Sequence, residues 1–323
     1  MSIGKCIVIF GGGPAGLSAG LWLRNLGFEP CVVEPKDRGG GLQNLNFLGN
    51  DWVLGQTGQT GPMLAKRFVD HALDAGVRLM TDVRPTQVSQ EADGFRVRLD
   101  SGMAIDCAAV LVATGTRYRA DEVLATAEGI DTVDPVHIAY GPHAFVAIDA
   151  QVGRRILIIG GGDNAFENAR LLAPRAAAVQ LAIRSRPRAQ QALAAAVAEQ
   201  VAAGRCRLLQ PAKVRALRET KQGIEATLAV ADRMESITVD RIHVLAGYEP
   251  NTSFIDKTFA AAIARALRFD EQGYLSVDAH GRTSAPGIYA AGDVCNPEFP
   301  CVVSAIADGA RVARTIEQDM RAS

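Results

Sequence analysis

Cys6-Ile7-Val8-Ile9-Phe10-Gly11-Gly12-Gly13-Pro14-Ala15-Gly16-Leu17 is the stretch that decides the fold. Its first five residues are a continuous apolar run, the pattern of a strand covered on both faces. Glycines then turn the chain, Leu17, Leu21, Trp22 and Leu26 recur at helical spacing, Gly27 closes the helix, and Pro30-Cys31-Val32-Val33-Glu34 supplies the next strand. Strand, glycine turn, helix and strand make one βαβ unit. In Gly11-x-Gly13-x-x-Gly16 the first glycine permits the tight turn and the second lets backbone approach a pyrophosphate. The third lets the helix pack close to the strand. Phosphate is favoured at the helix N-terminus, where N–H groups are free and the dipole is positive. Glu34 closes the second strand, where an acid takes ribose hydroxyls. Packing alone is the plain alternative for three glycines, and the strand, helix, strand and acid in register argue against it.

A second unit repeats this grammar. Arg154 to Ile159 is the strand, Gly160-Gly161-Gly162-Asp163-Asn164-Ala165 the turn, Phe166 to Leu172 the helix opening, and Ala178 to Ile183 the next strand. Two further strand ends, Ala109 to Gly115 and Ile242 to Tyr248, bracket it. Near the end, Gly287-Ile288-Tyr289-Ala290-Ala291-Gly292-Asp293 is a short apolar strand followed by Gly-Asp, whose carboxylate accepts hydrogen bonds from sugar-like hydroxyls.

Composition narrows the class. The 323 residues carry 34 Lys+Arg against 35 Asp+Glu, a net charge of −1, which argues against a nucleic-acid or membrane-surface partner. A run of only five apolar residues, Cys6 to Phe10, leads into the Gly11–Gly13 turn, so neither a signal-peptide core nor a spanning segment is expected, and the chain reads as cytoplasmic. Six cysteines are scattered with no C-x-x-C pair, too sparse for a disulfide scaffold. No metal site is expected, because His137 and His143 have no Cys, Asp or Glu at ligand spacing.

The order and spacing of GGGPAG, Glu34, GGGL at 39–42, ATG at 113–115, GGGDNA at 160–165 and GIYAAGD at 287–293 resemble the thioredoxin reductase branch, low-molecular-weight type, of the FAD/NAD(P)-binding flavoproteins. The resemblance runs over essentially the whole chain. It implies an α/β fold of two Rossmann-like, three-layer domains, the second inserted in the first. The FAD-binding domain would be 1–116 with 247–323, and the NAD(P)H-binding domain 117–246. It also implies a homodimer, and leaves no room for the extra dimerisation domain of the larger relatives. FAD contacts carry over to Gly11, Gly13, Pro14, Ala15, Gly16, Glu34, Gly40, Leu42, Asn50, Ala113, Thr114, Gly115, Gly292, Asp293 and Val302. The Val302 N–H falls where the family places a donor near the flavin pyrimidine edge.

Nucleotide contacts carry over to Gly160, Gly162, Asp163, Asn164, Ala165 and Glu167. Glu167 matches a family carboxylate near the nicotinamide and is otherwise a first-turn acid. No acid closes the following strand, and Arg184, Arg186 and Arg188 lie just beyond it, which suits the 2′-phosphate of NADPH over NADH. A solvated basic loop is the plain alternative.

Thioredoxin reductases carry a C-x-x-C ahead of the nucleotide strand. The corresponding positions here are Ile138 and Gly141, which carry no thiol, so the ordinary dithiol relay is not expected. The first functional expectation is hydride transfer from NADPH to FAD, then electron transfer to a ferredoxin- or flavodoxin-type carrier. Relatives doing this end in an aromatic extension, whereas this sequence ends at Arg321-Ala322-Ser323. The second is dithiol chemistry at Cys301 and Cys295; both can equally be small buried hydrophobes. The third is small-molecule redox where the disulfide is missing, with His137, Tyr140 and His143 as proton donors or as scaffold. A non-enzymatic flavin sensor is the fourth, and two retained nucleotide turns argue against it.

Overall fold

The computed structural model describes residues 5–50, 52–119, 121–146 and 148–322. The chain forms two compact units, Met1–Arg117 with Glu249–Ser323, and Tyr118–Tyr248. Among the described residues the α-helices are α1 (Pro14–Asn25), α2 (Gly61–Asp74), α3 (Asp163–Leu172), α4 (Gln191–Ala202), α5 (Ile255–Thr258), α6 (Ala261–Ala266) and α7 (Val302–Ala322).

The first unit is built on β1 (Cys6–Phe10), which is buried throughout. Its parallel sheet runs in the order Ile288–Ala290, Ala109–Val112, β1, β2 (Glu29–Val33), Arg78–Met80. Val8 stands opposite both Cys31 and Val110. Because side chains alternate along a strand, Val8 and Phe10 join one core, with Val33, Val97 and Phe259. Ile7 and Ile9 join another on the opposite face, with Leu17, Leu23 and Val312. Each such side chain, fully buried, contributes roughly 1.5–3 kcal/mol. An antiparallel meander, Pro85–Glu91, Gly94–Leu99 and Ala104–Cys107, covers the first face.

Helix α1 begins at Pro14, which fits the first helical position because its missing N–H has no partner there anyway. Trp22, which its spacing places on the apolar face, is 44% exposed, while Ala19 and Leu23 are buried. The core-facing stripe is narrower than the apolar spacing suggests. α1 and α7 approach closely at Gly309, where an added Cβ would lie 2.2 Å from the Ala15 carbonyl oxygen.

The second unit repeats the plan with the parallel order Ile138–Tyr140, Arg241–Val244, Arg155–Ile159, Ala178–Ala182, Cys206–Leu209. Its meander is Ala212–Thr220, Gly223–Val230 and Arg233–Val239. The strand read as Ile242 to Tyr248 is two strands, Arg241–Val244 in the sheet and Tyr248–Pro250 paired to Thr116–Tyr118. His243, 1% exposed, is held at Nδ1 by Asn168 Oδ1 at 2.7 Å, and Asn168 Nδ2 donates to the Ala144 carbonyl at 3.0 Å. Burial, with Arg241 adding to it, pushes the imidazole down to about 4, so it stays neutral.

Candidate functional site

In the first unit the turn after β1 leads into the start of α1. A Cβ added to Gly11, whose φ is +105°, would lie 2.4 Å from the Ala113 carbonyl oxygen, and one added to Gly16 would lie 2.0 Å from that of Gly11. Both positions are closed to side chains by backbone. A Cβ added to Gly13 meets only the Gly41 Cα, at 3.8 Å. Gly13 caps α1 with no side-chain hydrogen bond and no acid in the first turn, so the Ala15 and Gly16 N–H groups and the positive end of the helix are left for an anion.

The other residues close around that helix end. Glu34 is buried; Oε2 accepts the Gly12 N–H at 2.8 Å and Oε1 the Lys36 N–H at 2.9 Å, which fixes the carboxylate and leaves lone pairs for hydroxyl donors. The Gly40 N–H donates to the Gly12 carbonyl at 2.7 Å and draws the 39–42 loop over the turn, with Leu42 in a short 3-10 helix. Gly292 faces α1: an added Cβ would lie 2.7 Å from the Ala15 Cβ. Beside it, Asp293 Oδ1 is buried without a hydrogen-bond partner among the described residues. Burial, with Asp308 nearby, pushes this carboxyl up to about 6. A buried acceptor without a donor costs about 1–3 kcal/mol, a cost that a hydroxyl-bearing ligand removes. Anion-ready helix, fixed carboxylate and orphaned carboxylate oxygen together fit the phosphates and polyol of a flavin dinucleotide.

Three expected contacts, Thr114, Gly115 and Asn50, also hold the fold. Thr114 Oγ1 donates to the Asn251 carbonyl and Asn251 Nδ2 to the Thr114 carbonyl, both at 2.8 Å, while the Asn251 N–H donates to Gly115. Asn251 lies in none of the sequence motifs. Asn50 is buried, its Oδ1 accepting the Trp52 and Val53 N–H groups at 3.0 and 3.1 Å. Val302 is the buried first residue of α7.

In the second unit, Gly162 caps α3 with no side-chain hydrogen bond, and nothing lies within 4 Å of a Cβ added there. Asp163 accepts from the Gln190 N–H at 2.7 Å and Nε2 at 2.9 Å, and the Arg188 N–H donates to the Gly161 carbonyl at 2.6 Å. These bonds tie the arginine loop to the nucleotide turn. The Arg184, Arg186 and Arg188 side chains are exposed and have no partner among the described residues. Asn164 Nδ2 donates to the Tyr248 hydroxyl at 2.9 Å, and Ala165 is fully buried. Glu167 is not in the first turn of α3, since the helix starts at Asp163; its carboxylate is bound by Arg170 at 2.6 Å.

His137, Tyr140 and His143 differ in their surroundings. His137 meets the Arg241 guanidinium at Nδ1 and Glu219 at Nε2, 3.5 Å away. Tyr140 is half-buried beside the meander core, and His143 is exposed. Ile138 packs on that same core. Gly141, with φ +57°, carries the Tyr118 ring against it: an added Cβ would lie 2.6 Å from ring carbons. All six thiols are free. Burial pushes the Cys295 thiol up to about 12, and its Sγ donates to the Gly292 carbonyl at 3.3 Å. Cys301 precedes α7; its Sγ accepts the Ser304 N–H at 3.4 Å while its own N–H donates to Ser304 Oγ at 3.3 Å, a reciprocal helix cap. Among the described residues no three His, Cys, Asp or Glu are grouped to hold a metal, and no helix is long and apolar enough to cross a membrane.

Known proteins share this architecture. A component of the Pseudomonas putida alkyl hydroperoxide reductase is 28% identical over 95% of this chain, which spans only 56% of that protein's length. The Coxiella burnetii thioredoxin reductase is 24% identical over 97% of this chain and 95% of its own. The crystal structure of T. acidophilum thioredoxin reductase has the same fold, with a TM-score of 0.81 at 23% identity over 98% of this chain and 99% of that one. The family model described as pyridine nucleotide-disulphide oxidoreductase matches residues 5–309. With its turns, sheets and relatives in agreement, this chain belongs to the pyridine nucleotide-disulphide oxidoreductases, a family of enzymes that use FAD and NAD(P)H.

Proposed function

We propose that the chain is an FAD-dependent NADPH oxidoreductase that hands electrons to its acceptor without a disulfide of the thioredoxin reductase kind. One observation carries the reading: each unit holds an open, uncapped helix N-terminus behind a glycine turn, while position 141 is filled by the Tyr118 ring. The bound cofactors supply the chemistry, hydride transfer from nicotinamide to flavin followed by electron release. The chain's residues bind and orient. Gly13, Ala15 and Gly16 would take the FAD pyrophosphate, Glu34 the adenosine ribose, and Asp293 a ribityl hydroxyl. Ala113, Gly115, Leu42, Asn50 and Val302 would line the rest, with the Val302 N–H set to stabilise negative charge on the ring.

In the second unit Gly162 and Asn164 would hold the NADPH pyrophosphate. Arg184 and Arg186 would grip the 2′-phosphate, because their loop is tied to the nucleotide turn and their guanidinium groups are unclaimed among the described residues. We take a ferredoxin- or flavodoxin-type carrier as acceptor, the chain as a homodimer, and the cytoplasm as its location, where six free thiols are at home. The dithiol alternative loses support from Cys295, since a thiol pushed up to about 12 forms little thiolate at neutral pH. Purified protein supplied with NADPH and, in parallel, ferredoxin, flavodoxin and small disulfides ranks the acceptors by kcat/KM. The reading requires a carrier protein first; a disulfide first would return Cys301 to the reaction.

A further inference from the structure

Tyr118 and Tyr248 belong to no motif read from the sequence, yet they sit beside the second nucleotide turn. Their ring centroids are 4.3 Å apart with planes at 41°, and their hydroxyls are 2.6 Å apart. The Tyr118 ring is seated on Gly141, where any side chain would displace it. The Arg119 N–H donates to the Gly247 carbonyl at 3.0 Å and holds the two segments together. The Tyr248 hydroxyl accepts the Asn164 Nδ2 hydrogen bond at 2.9 Å, and Asn164 is the second residue of α3.

The sheet order tells which half of a dinucleotide this pair would meet. Arg155–Ile159 is central; Ala178–Ala182 on one side leads to the arginine loop, and Arg241–Val244 on the other leads to Tyr248. A dinucleotide lies across the carboxyl ends of the strands with its pyrophosphate on the helix N-terminus. The phosphorylated adenosine then runs to the arginine side, and the nicotinamide runs to the tyrosine side. Because Tyr248 takes an Asn164 N–H, the carboxamide oxygen of Asn164 keeps its capacity to accept from a nicotinamide amide or a ribose hydroxyl.

We propose that the Tyr118–Tyr248 pair, acting through Asn164, positions the nicotinamide half of a pyridine dinucleotide. This rests on reading the second unit as the NADPH site. Tyr248 and Tyr118 are positioning residues, and Tyr→Phe keeps both rings and the Gly141 contact while deleting one hydroxyl.

The test is calorimetric titration of the flavin-loaded, full-length protein with NADP+ and, separately, with adenosine 2′,5′-bisphosphate, which lacks the nicotinamide half. In Tyr248→Phe the NADP+ dissociation constant should rise about tenfold, the equivalent of one hydrogen bond, and the bisphosphate constant should stay within about twofold. Tyr118→Phe should weaken NADP+ in the same direction by roughly threefold, and it decides the matter if Tyr248→Phe does not fold. Unchanged NADP+ binding in these variants overturns the proposal, as does equal weakening of both ligands, which would mean that the pair only props up the turn. Failure of the wild-type protein to bind the bisphosphate would instead overturn the nucleotide-site reading beneath it.

Discussion

Asp293→Asn should move flavin affinity and apoprotein stability in opposite directions. The Asp293 carboxyl titrates near 6 because burial, and then Asp308, disfavour its charge. That is about two pH units above an ordinary aspartate, or about 3 kcal/mol at 1.36 kcal/mol per unit. The sign follows from proton uptake: between about 4 and 6 the folded state holds the proton that the unfolded state has lost. Stability therefore falls as pH rises through that window, and the apoprotein at pH 7 carries the full cost. Replacing the carboxylate by a neutral amide removes it, so deflavinated Asp293→Asn should melt several degrees above the deflavinated wild type at pH 7.

Flavin binding should respond the other way. A hydroxyl donating to the orphaned Oδ1 favours the charged form, and a hydrogen bond to a charged group is worth about 1.5–3 kcal/mol. The variant should then bind FAD roughly 10- to 150-fold more weakly at pH 8. The wild type should also lose about tenfold in affinity between pH 8 and pH 5, as the apoprotein carboxyl takes up its proton, and the variant should show no such slope. Quenching of FAD fluorescence on adding apoprotein at pH 5, 6, 7 and 8 reads all of this. An unchanged FAD affinity at pH 8, or an apoprotein no more stable than wild type, would refute the assignment of Asp293 to a flavin hydroxyl.

Other perturbations test the remaining parts. His243, lowered to about 4 against an ordinary 6.5, should cost stability as pH falls through that interval, by up to about 3 kcal/mol; denaturant unfolding at pH 7.5, 6 and 5 should show a slope that His243→Asn lacks. Arg184→Ala with Arg186→Ala should lower the NADPH/NADH ratio of kcat/KM by at least about tenfold, and an unchanged ratio would make the loop a solvated surface. Cys301→Ser should leave the rate and extent of NADPH-driven flavin bleaching within about twofold of wild type, since serine also caps a helix; loss of bleaching would put the thiol in the reaction.

The two parallel sheets are legible in sequence because their central strands are unbroken apolar runs ending in glycine, a pattern that buried strands and tight turns both demand. Helix starts are less legible. Glu167 reads as a first-turn acid only if α3 starts at Phe166, and the structure starts it at Asp163, where Gly162 already has extended backbone. Trp22 satisfies a helical period and still faces solvent, because α7 covers α1 along small residues, Ala15, Ser18 and Ala19. The Tyr118–Tyr248 pair and the Asn251 clamp join residues 130 and 137 positions apart. Neither leaves a periodic or spacing signal, since only the fold brings the partners together. His137 shows the converse: a titratable side chain in a suggestive stretch whose two nitrogens meet Arg241 and Glu219 from neighbouring strands.

The central claim, electron delivery without a redox disulfide, is most directly tested by anaerobic titration of the purified yellow protein with NADPH, following flavin absorbance to its end point. The account predicts complete bleaching at about two electrons per bound flavin, because only the flavin stores them. An end point near four electrons would show a reducible disulfide and contradict the account, and so would a flavin that NADPH does not bleach at all.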